Sequence, residues 1–474
     1  MGYVFFDTET TGLDPAFDQI VHFAAIQTDH DLNESGRFEM RARLQPHVVP
    51  HPSALRANGL PITRLNDRSE PSHYEMMSQI RRQLIAWSPA IFVGYNSIGF
   101  DEHMLRYGLF QSLFPAYLTS HHQNGRADAF GLVQAACALT PSCLIVPRKS
   151  DGRPSFKLDQ LAPANGVAHA GAHDAMSDTL AVVDLCRLVR RCSNEAWQRF
   201  VRFSNRAAVA EFVDGEDGFV LTEFFAGEPI HRAVVCIGRN PTNSNGRFCL
   251  DLSIAPETWR SMTDVDIRAE IARKGTPVRR IRVNGAPTLT SFYDATDGLL
   301  NGVDPAIAER RALQFKNDPG LCGKIIALYS ASWADVPPSP HVERRLYSDG
   351  FPSDADQQRM FDFHDANGWE RVQIAGHFED QRLQAFAQRL IHYEHRSLLD
   401  SDSQRTADVR LARRLIEDSG GPLTLPHALA ETERLIADPI GDPLGLLMDY
   451  RDYLKARIDK ISAFQAIHSQ LTIV

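Results

Sequence analysis

The chain opens on an apolar run, Tyr3-Val-Phe-Phe, that turns abruptly polar at Asp7-Thr-Glu-Thr-Thr-Gly12. The strand-forming residues predict a buried strand over 3–9. Side chains alternate along a strand, so Asp7 and Glu9 share one face of it. Further strands are predicted over 20–28 and about 38–45, with turns at Gly12 and Asp29-His30-Asp31. The period then lengthens. From Tyr74 to Trp87, Met77, Ile80, Leu84 and Ile85 fall on one side of a helix. Ile91-Phe-Val-Gly94 is a short buried strand, followed by helices over 101–110, about 128–139, 158–165 and 174–191. The loop at 141–154 between them is rich in Pro, Ser, Lys and Arg. Strands and helices mixed in this order predict an α/β sheet domain over 1–193.

Beyond it the pattern changes to short strands with Gly- and Asn-rich turns: 218–225, 232–237, 247–252 and 278–283. A small β-barrel-like module interrupted by helices, over 194–338, fits this texture, with 304–330 helical. From 339 to 474 the pattern is mostly helical, over 354–364, 379–396, 404–418, 426–437 and 443–470, and Pro337-Pro338-Ser-Pro340 is the expected linker. No internal repeat or low-complexity tract interrupts this order.

Composition narrows the class. A chain of 474 residues exceeds one core, and 43% hydrophobic with 23% charged residues is ordinary for a globular protein. No apolar run approaches the ~20 residues that cross a bilayer. No secretory signal is expected, because the first strand begins at once. The seven cysteines are scattered and never form a CxxC pair, which argues against a zinc site or a disulfide framework and fits a reducing cytoplasm. A net charge of −9 leaves nucleic-acid contact to a local basic groove.

Two buried carboxylates repel and are costly to desolvate, so Asp7 and Glu9 call for a cation, and oxygen ligands suit Mg²⁺ or Mn²⁺. Asp101 follows a buried strand and starts a helix, where it either joins the pair or caps the helix. In Ala172-His173-Asp174-Ala175-Met176-Ser177-Asp178, Asp174 fits the N-terminal acid of a helix. Asp178 lies further inside, on a helix that Met176, Leu180 and Val183 turn toward the core.

The order DxE…D…HxxxxD resembles the DEDDh family of 3′→5′ exonucleases. The resemblance implies an RNase H-like first domain in which Asp7, Glu9, Asp101 and Asp178 hold two divalent ions, Mg²⁺ with Mn²⁺ as a substitute. It also implies that Glu9 lies near the terminal nucleotide and that His173 is the general base. Thr10, Thr11, Gly12 and Leu13 would meet the 3′-terminal nucleotide, Gly12 by close backbone approach and Leu13 by an apolar surface for the base, unless Leu13 plugs the core.

Gly94-Tyr-Asn, Phe100-Asp101, Pro154-Ser-Phe-Lys-Leu158, Ala164-Asn-Gly166, Leu346-Tyr-Ser-Asp-Gly-Phe-Pro-Ser-Asp-Ala-Asp356 and Arg382-Leu-Gln-Ala-Phe386 resemble the bacterial exodeoxyribonuclease I family. That resemblance implies an exonuclease domain, an SH3-like β-barrel and a C-terminal helical domain clamped around single-stranded DNA. The implied role is degradation to 5′-mononucleotides in recombination and mismatch repair, by a cytoplasmic monomer with no membrane partner. The first motif departs from the Tyr-Glu-Thr-Phe-Gly form usual there, and Lys157 stands where Arg is usual, keeping charge without a bidentate fork. Lys157 and Arg106 are expected on the substrate backbone. Arg268, Arg273, Lys274, Arg279, Arg280 and Arg282 form either a solvated face or a groove wall for DNA. The family also docks the acidic, apolar tail of the single-stranded-DNA-binding protein, for which Arg310 and Arg311 are candidates.

Overall fold

The computed structural model describes residues 1–169, 171, 173–295, 297–300, 302–331, 337–418, 420–437 and 444–468. Its first sheet has the order β3-β2-β1-β4-β5. The strands are β1 (Gly2–Thr10), β2 (Ile20–Thr28), β3 (Glu34–Arg41), β4 (Ala90–Gly94) and β5 (Gly125–Asp128). β1, β2 and β3 run antiparallel, whereas β4 and β5 join them in parallel after helical crossovers. The central β1 is buried on both faces. Tyr3 and Phe5 pack on one layer with Val183 and Trp197, and Val4 and Phe6 pack on the other with Met77 and Leu105. A strand so covered reads as a continuous apolar run, which is why it stood out in the sequence.

β3 begins and ends earlier than its pattern suggested, and β5 escaped notice because Gly125-Arg-Ala-Asp128 carries only one apolar side chain. The helices Asn194–Phe203 and Arg206–Gly215 follow the long Ala175–Cys192 helix, and Ala196 and Trp197 still pack in the first core.

The second sheet is antiparallel, in the order β10-β6-β7-β8-β9, with β6 (Phe219–Phe225), β7 (Glu228–Arg239), β8 (Gly246–Asp251), β9 (Val278–Arg282) and β10 (Thr288–Ser291). Helices Pro305–Lys316 and Pro319–Ser330 cover one face through Phe315 and Ile325. In β9, Arg280 and Arg282 are exposed, while Arg279 pairs with Glu223 and Arg273 with Glu270 at 3.0 Å.

From Asp354 the described residues form a series of helices, the last of them Leu444–His468, and the expected helix over 443–470 has 443, 469 and 470 outside the described residues. This part packs directly on the first domain. Phe363 and Phe386 share a core with Phe17 and Phe110, and the Tyr450 hydroxyl donates to Pro50 O at 2.6 Å. No helix among the described residues is long and apolar enough to cross a membrane.

The cysteine reading needs one correction. Cys143 and Cys192 are disulfide-paired, with their Cα atoms 5.2 Å apart. They are 49 residues apart in sequence. Only folding brings the loop after the Ala129–Leu139 helix against the end of Ala175–Cys192, so spacing alone could not reveal the pair.

Candidate active site

Three elements bring the acids together. β1 carries Asp7 and Glu9, and its ladder with β4 ends at Phe5↔Val93, so beyond that point its edge is open on the β4 side. Asp101, the first residue of the Asp101–Gln111 helix, closes this gap: its Oδ1 accepts from the Thr8 backbone N–H at 3.2 Å and from the Thr8 hydroxyl at 2.6 Å. Phe100, at the N-cap, offers the helix no side-chain cap, and the Asp101 carboxylate serves β1 as well as its own backbone N–H.

The approach to Asp101 depends on a tight turn after β4. A Cβ on Gly94 would lie 2.5 Å from Ser97 Cβ and 2.9 Å from Phe6 O, so only glycine fits. Asn96 takes a left-handed conformation with φ 62°, and its N–H donates to Asp128 Oδ1 at 2.8 Å. Burial pushes Asp128 up to about 6 even though it accepts three backbone N–H groups.

The Ala175–Cys192 helix supplies the rest. As expected, Asp174 caps it, accepting from Ser177 N–H at 3.2 Å; it also accepts from Arg41 Nη2 at 2.9 Å. His173 sits just before the cap at φ 64°, a left-handed conformation that is strained for a side chain of its size. Ligand atoms of Glu9, His173 and Asp178 all lie within 4.8 Å of one another.

The electrostatics are those of acids crowded out of water. Burial raises Asp7 well above its ordinary range, with Asp101, Asp178 and Glu9 adding repulsion. Burial, with repulsion from Asp178, Asp101 and Asp174, pushes Glu9 up to about 8. Asp101 rises to about 7 by burial, although the Thr8 hydrogen bonds oppose the shift. Burial also raises Asp178, against a hydrogen bond from His169. Among the described residues that histidine is the only ion-pair partner of the four acids. A set of carboxylate oxygens with raised pKa values and too little protein cation suits hard divalent ions, so the residues present fit a metal.

The expected nucleotide-binding turn is ordered. Thr10 Oγ1 donates to Gly12 O at 2.8 Å, and Thr11 Oγ1 donates to Asp18 Oδ1 at 2.9 Å. Leu13 is 81% exposed, so it does not plug the core. Gly12 has a packing reason of its own: a Cβ there would lie 2.4 Å from both Asp18 Oδ2 and His51 Cδ2. Lys157 is exposed at the start of the Leu158–Ala164 helix.

Arg106 differs from expectation. It is 8% exposed, pairs with Glu102 at 3.3 Å, donates to Ser120 Oγ and lies over the Tyr117 ring. Glu102 is shared with Arg126. Being held inside by these partners, Arg106 is not presented as a backbone-binding cation. Sequence reasoning also missed Thr8 and His169. Thr8 lay in plain view between the two acids, and His169 stands four residues before His173.

Comparison with known proteins agrees with this architecture. Residues 4–186 match the Exonuclease family, and residues 340–456 match the Exonuclease I C-terminal domain. Exodeoxyribonuclease I of Escherichia coli K12 is 26% identical over 387 residues, covering 76% of this chain and 78% of that protein. Its counterpart in Haemophilus influenzae is 25% identical, covering 83% and 86%. Two solved structures have the same fold. Exonuclease I from Methylocaldum szegediense gives a TM-score of 0.84 at 24% identity, covering 96% of this chain and 99% of that one. E. coli exonuclease I in complex with a dA16 oligonucleotide also gives 0.84, at 22% identity with 96% and 99% coverage. The fold and the acid cluster define an RNase H-like exonuclease with a helical C-terminal region. More narrowly, the chain belongs to the exodeoxyribonuclease I family.

Proposed function

We propose that the chain is a Mg²⁺-dependent exonuclease that degrades single-stranded DNA 3′→5′ to 5′-mononucleotides in DNA repair and recombination. The observation that carries this reading is the convergence of Glu9, His173 and Asp178 beside Asp7 and Asp101, with the acids' pKa values raised together. Relatives add support. E. coli exonuclease I has been solved with dA16 and dT13 oligonucleotides and in a zinc-bound form with single-stranded DNA.

In this reading Asp7, Glu9, Asp101 and Asp178 hold two divalent ions, with Mn²⁺ as a substitute for Mg²⁺. When bound, such ions neutralise phosphate charge and make water a nucleophile near neutral pH. His173, exposed at the cluster, takes the proton of the attacking water. Leu13 offers its apolar surface to the terminal base while Thr10, Thr11 and Gly12 hold the turn that presents it. Glu9 flanks the terminal nucleotide, and Lys157 meets a backbone phosphate.

The domains proposed are 1–193, 194–338 and 339–474, the middle one SH3-like. The protein works as a cytoplasmic monomer and docks the tail of the single-stranded-DNA-binding protein. Arg310 is the better candidate for that tail. With Arg260, Ala306 and Leu313 it lines a cavity of about 550 Å³, whereas Arg311 donates to Leu252 O at 2.6 Å and Ser253 O at 3.0 Å.

The test is digestion of 3′-labelled single-stranded DNA, duplex DNA and RNA in Mg²⁺. Preference for single-stranded DNA supports the proposal, and equal activity on RNA contradicts it.

A further inference from the structure

A second histidine reaches the acid cluster. His169 lies in the loop that leads to His173, its side chain only 2% exposed, with Nε2 2.5 Å from Asp178 Oδ1. An ionised carboxylate can only accept, so Nε2 carries the proton. The His173 backbone also hydrogen-bonds Asp178. The two histidines therefore differ in kind. His173 is exposed beside Glu9 and Asp178, where water and substrate arrive, whereas His169 is buried with its N–H already committed.

The terminal torsion of a carboxylate is soft and broad, so Asp178 by itself has no fixed presentation to an ion. A buried N–H on one oxygen removes that freedom and leaves the other oxygen for coordination. Outer hydrogen bonds of this type orient ligating groups in many metal sites.

We propose that His169 is a positioning residue that fixes the Asp178 carboxylate for divalent-ion binding through its Nε2–H. The inference rests on the metal-site reading above. A histidine that merely filled the core would not make metal affinity depend on that one N–H.

The experiment is calorimetric titration of the full chain with Mn²⁺ alone, for wild type, His169→Ala, His169→Gln and Asp178→Ala. The glutamine amide can offer an N–H near the position of Nε2. His169→Ala is expected to weaken Mn²⁺ by ~10–100-fold, the usual cost of losing an outer partner. His169→Gln is expected to recover most of that loss. In digestion assays His169→Ala should recover at high Mn²⁺ while KM for DNA stays unchanged. Wild-type Mn²⁺ affinity in His169→Ala would overturn the proposal, as would a folded His169→Gln that binds as poorly as His169→Ala. If Asp178→Ala binds Mn²⁺ as wild type does, the metal-site reading itself falls, and this proposal falls with it.

Discussion

Asp101 Oδ1 accepts two hydrogen bonds from one residue, Thr8: the backbone N–H at 3.2 Å and the hydroxyl at 2.6 Å. The pair is 93 residues apart and joins the end of β1 to the start of a helix. It sets where the third acid stands relative to the first two. The threonine between Asp7 and Glu9 thus has structural work of its own.

Thr8→Val keeps the shape and removes only the hydroxyl. It leaves a buried carboxylate short of a donor, at a cost of ~1–3 kcal/mol. Thermal unfolding should show that loss, and the Mg²⁺ needed for half-maximal digestion should rise. Thr8→Ser should behave as wild type. Equal Mg²⁺ requirements for Thr8→Val and wild type would show that the hydroxyl does not position Asp101.

Gly12 and Leu13 are adjacent but should fail differently. Gly12→Ala forces a methyl against Asp18 and His51, and overpacking of this kind costs ~1–3 kcal/mol in unfolding free energy. Leu13→Ala removes an exposed side chain and should leave stability within ~0.5 kcal/mol. Its effect should appear as a raised KM for single-stranded DNA. Denaturant melts and steady-state kinetics on both variants separate the two outcomes.

The raised carboxylates predict how stability depends on pH without metal. Glu9 moves from 4.5 to about 8 and Asp101 from 3.8 to about 7, so each favours the fold in its protonated form. That contribution is complete below the ordinary carboxylate range and is lost as pH rises through about 7 to 8. In EDTA, Tm should therefore fall across this span, and Glu9→Gln should flatten the fall. Saturating Mg²⁺ should raise Tm most at the alkaline end. An identical Tm slope for wild type and Glu9→Gln in EDTA would contradict the assignment.

Much of the site was legible because its signals are local. Asp7 and Glu9 interrupt an apolar strand, and His173 and Asp178 sit in one short segment at the head of a helix. The unread parts depend on contacts between distant segments. The Thr8 hydrogen bonds, the Cys143–Cys192 pair and the packing of Gly12 against Asp18 and His51 leave no periodic trace. Arg106 shows the same limit from the other side. Its charge suggested a phosphate, but Glu102 one helical turn away and the Tyr117 ring enclose it. β5 and the Asn194–Phe203 helix were missed because the first has almost no apolar pattern and the second follows a helix after a single residue, Ser193.

The central claim is that Asp7, Glu9, Asp101, Asp178 and His173 act together on a metal-assisted hydrolysis. Its most direct measurement is single-turnover release of the terminal nucleotide from 3′-labelled single-stranded DNA. Wild type in Mg²⁺ should be compared with wild type in EDTA, and with Asp178→Ala and His173→Ala in Mg²⁺. The account predicts no measurable release in EDTA and a loss of at least ~10²-fold for each variant. Release in EDTA at the Mg²⁺ rate, or a rate within about tenfold of wild type for either variant, would contradict it.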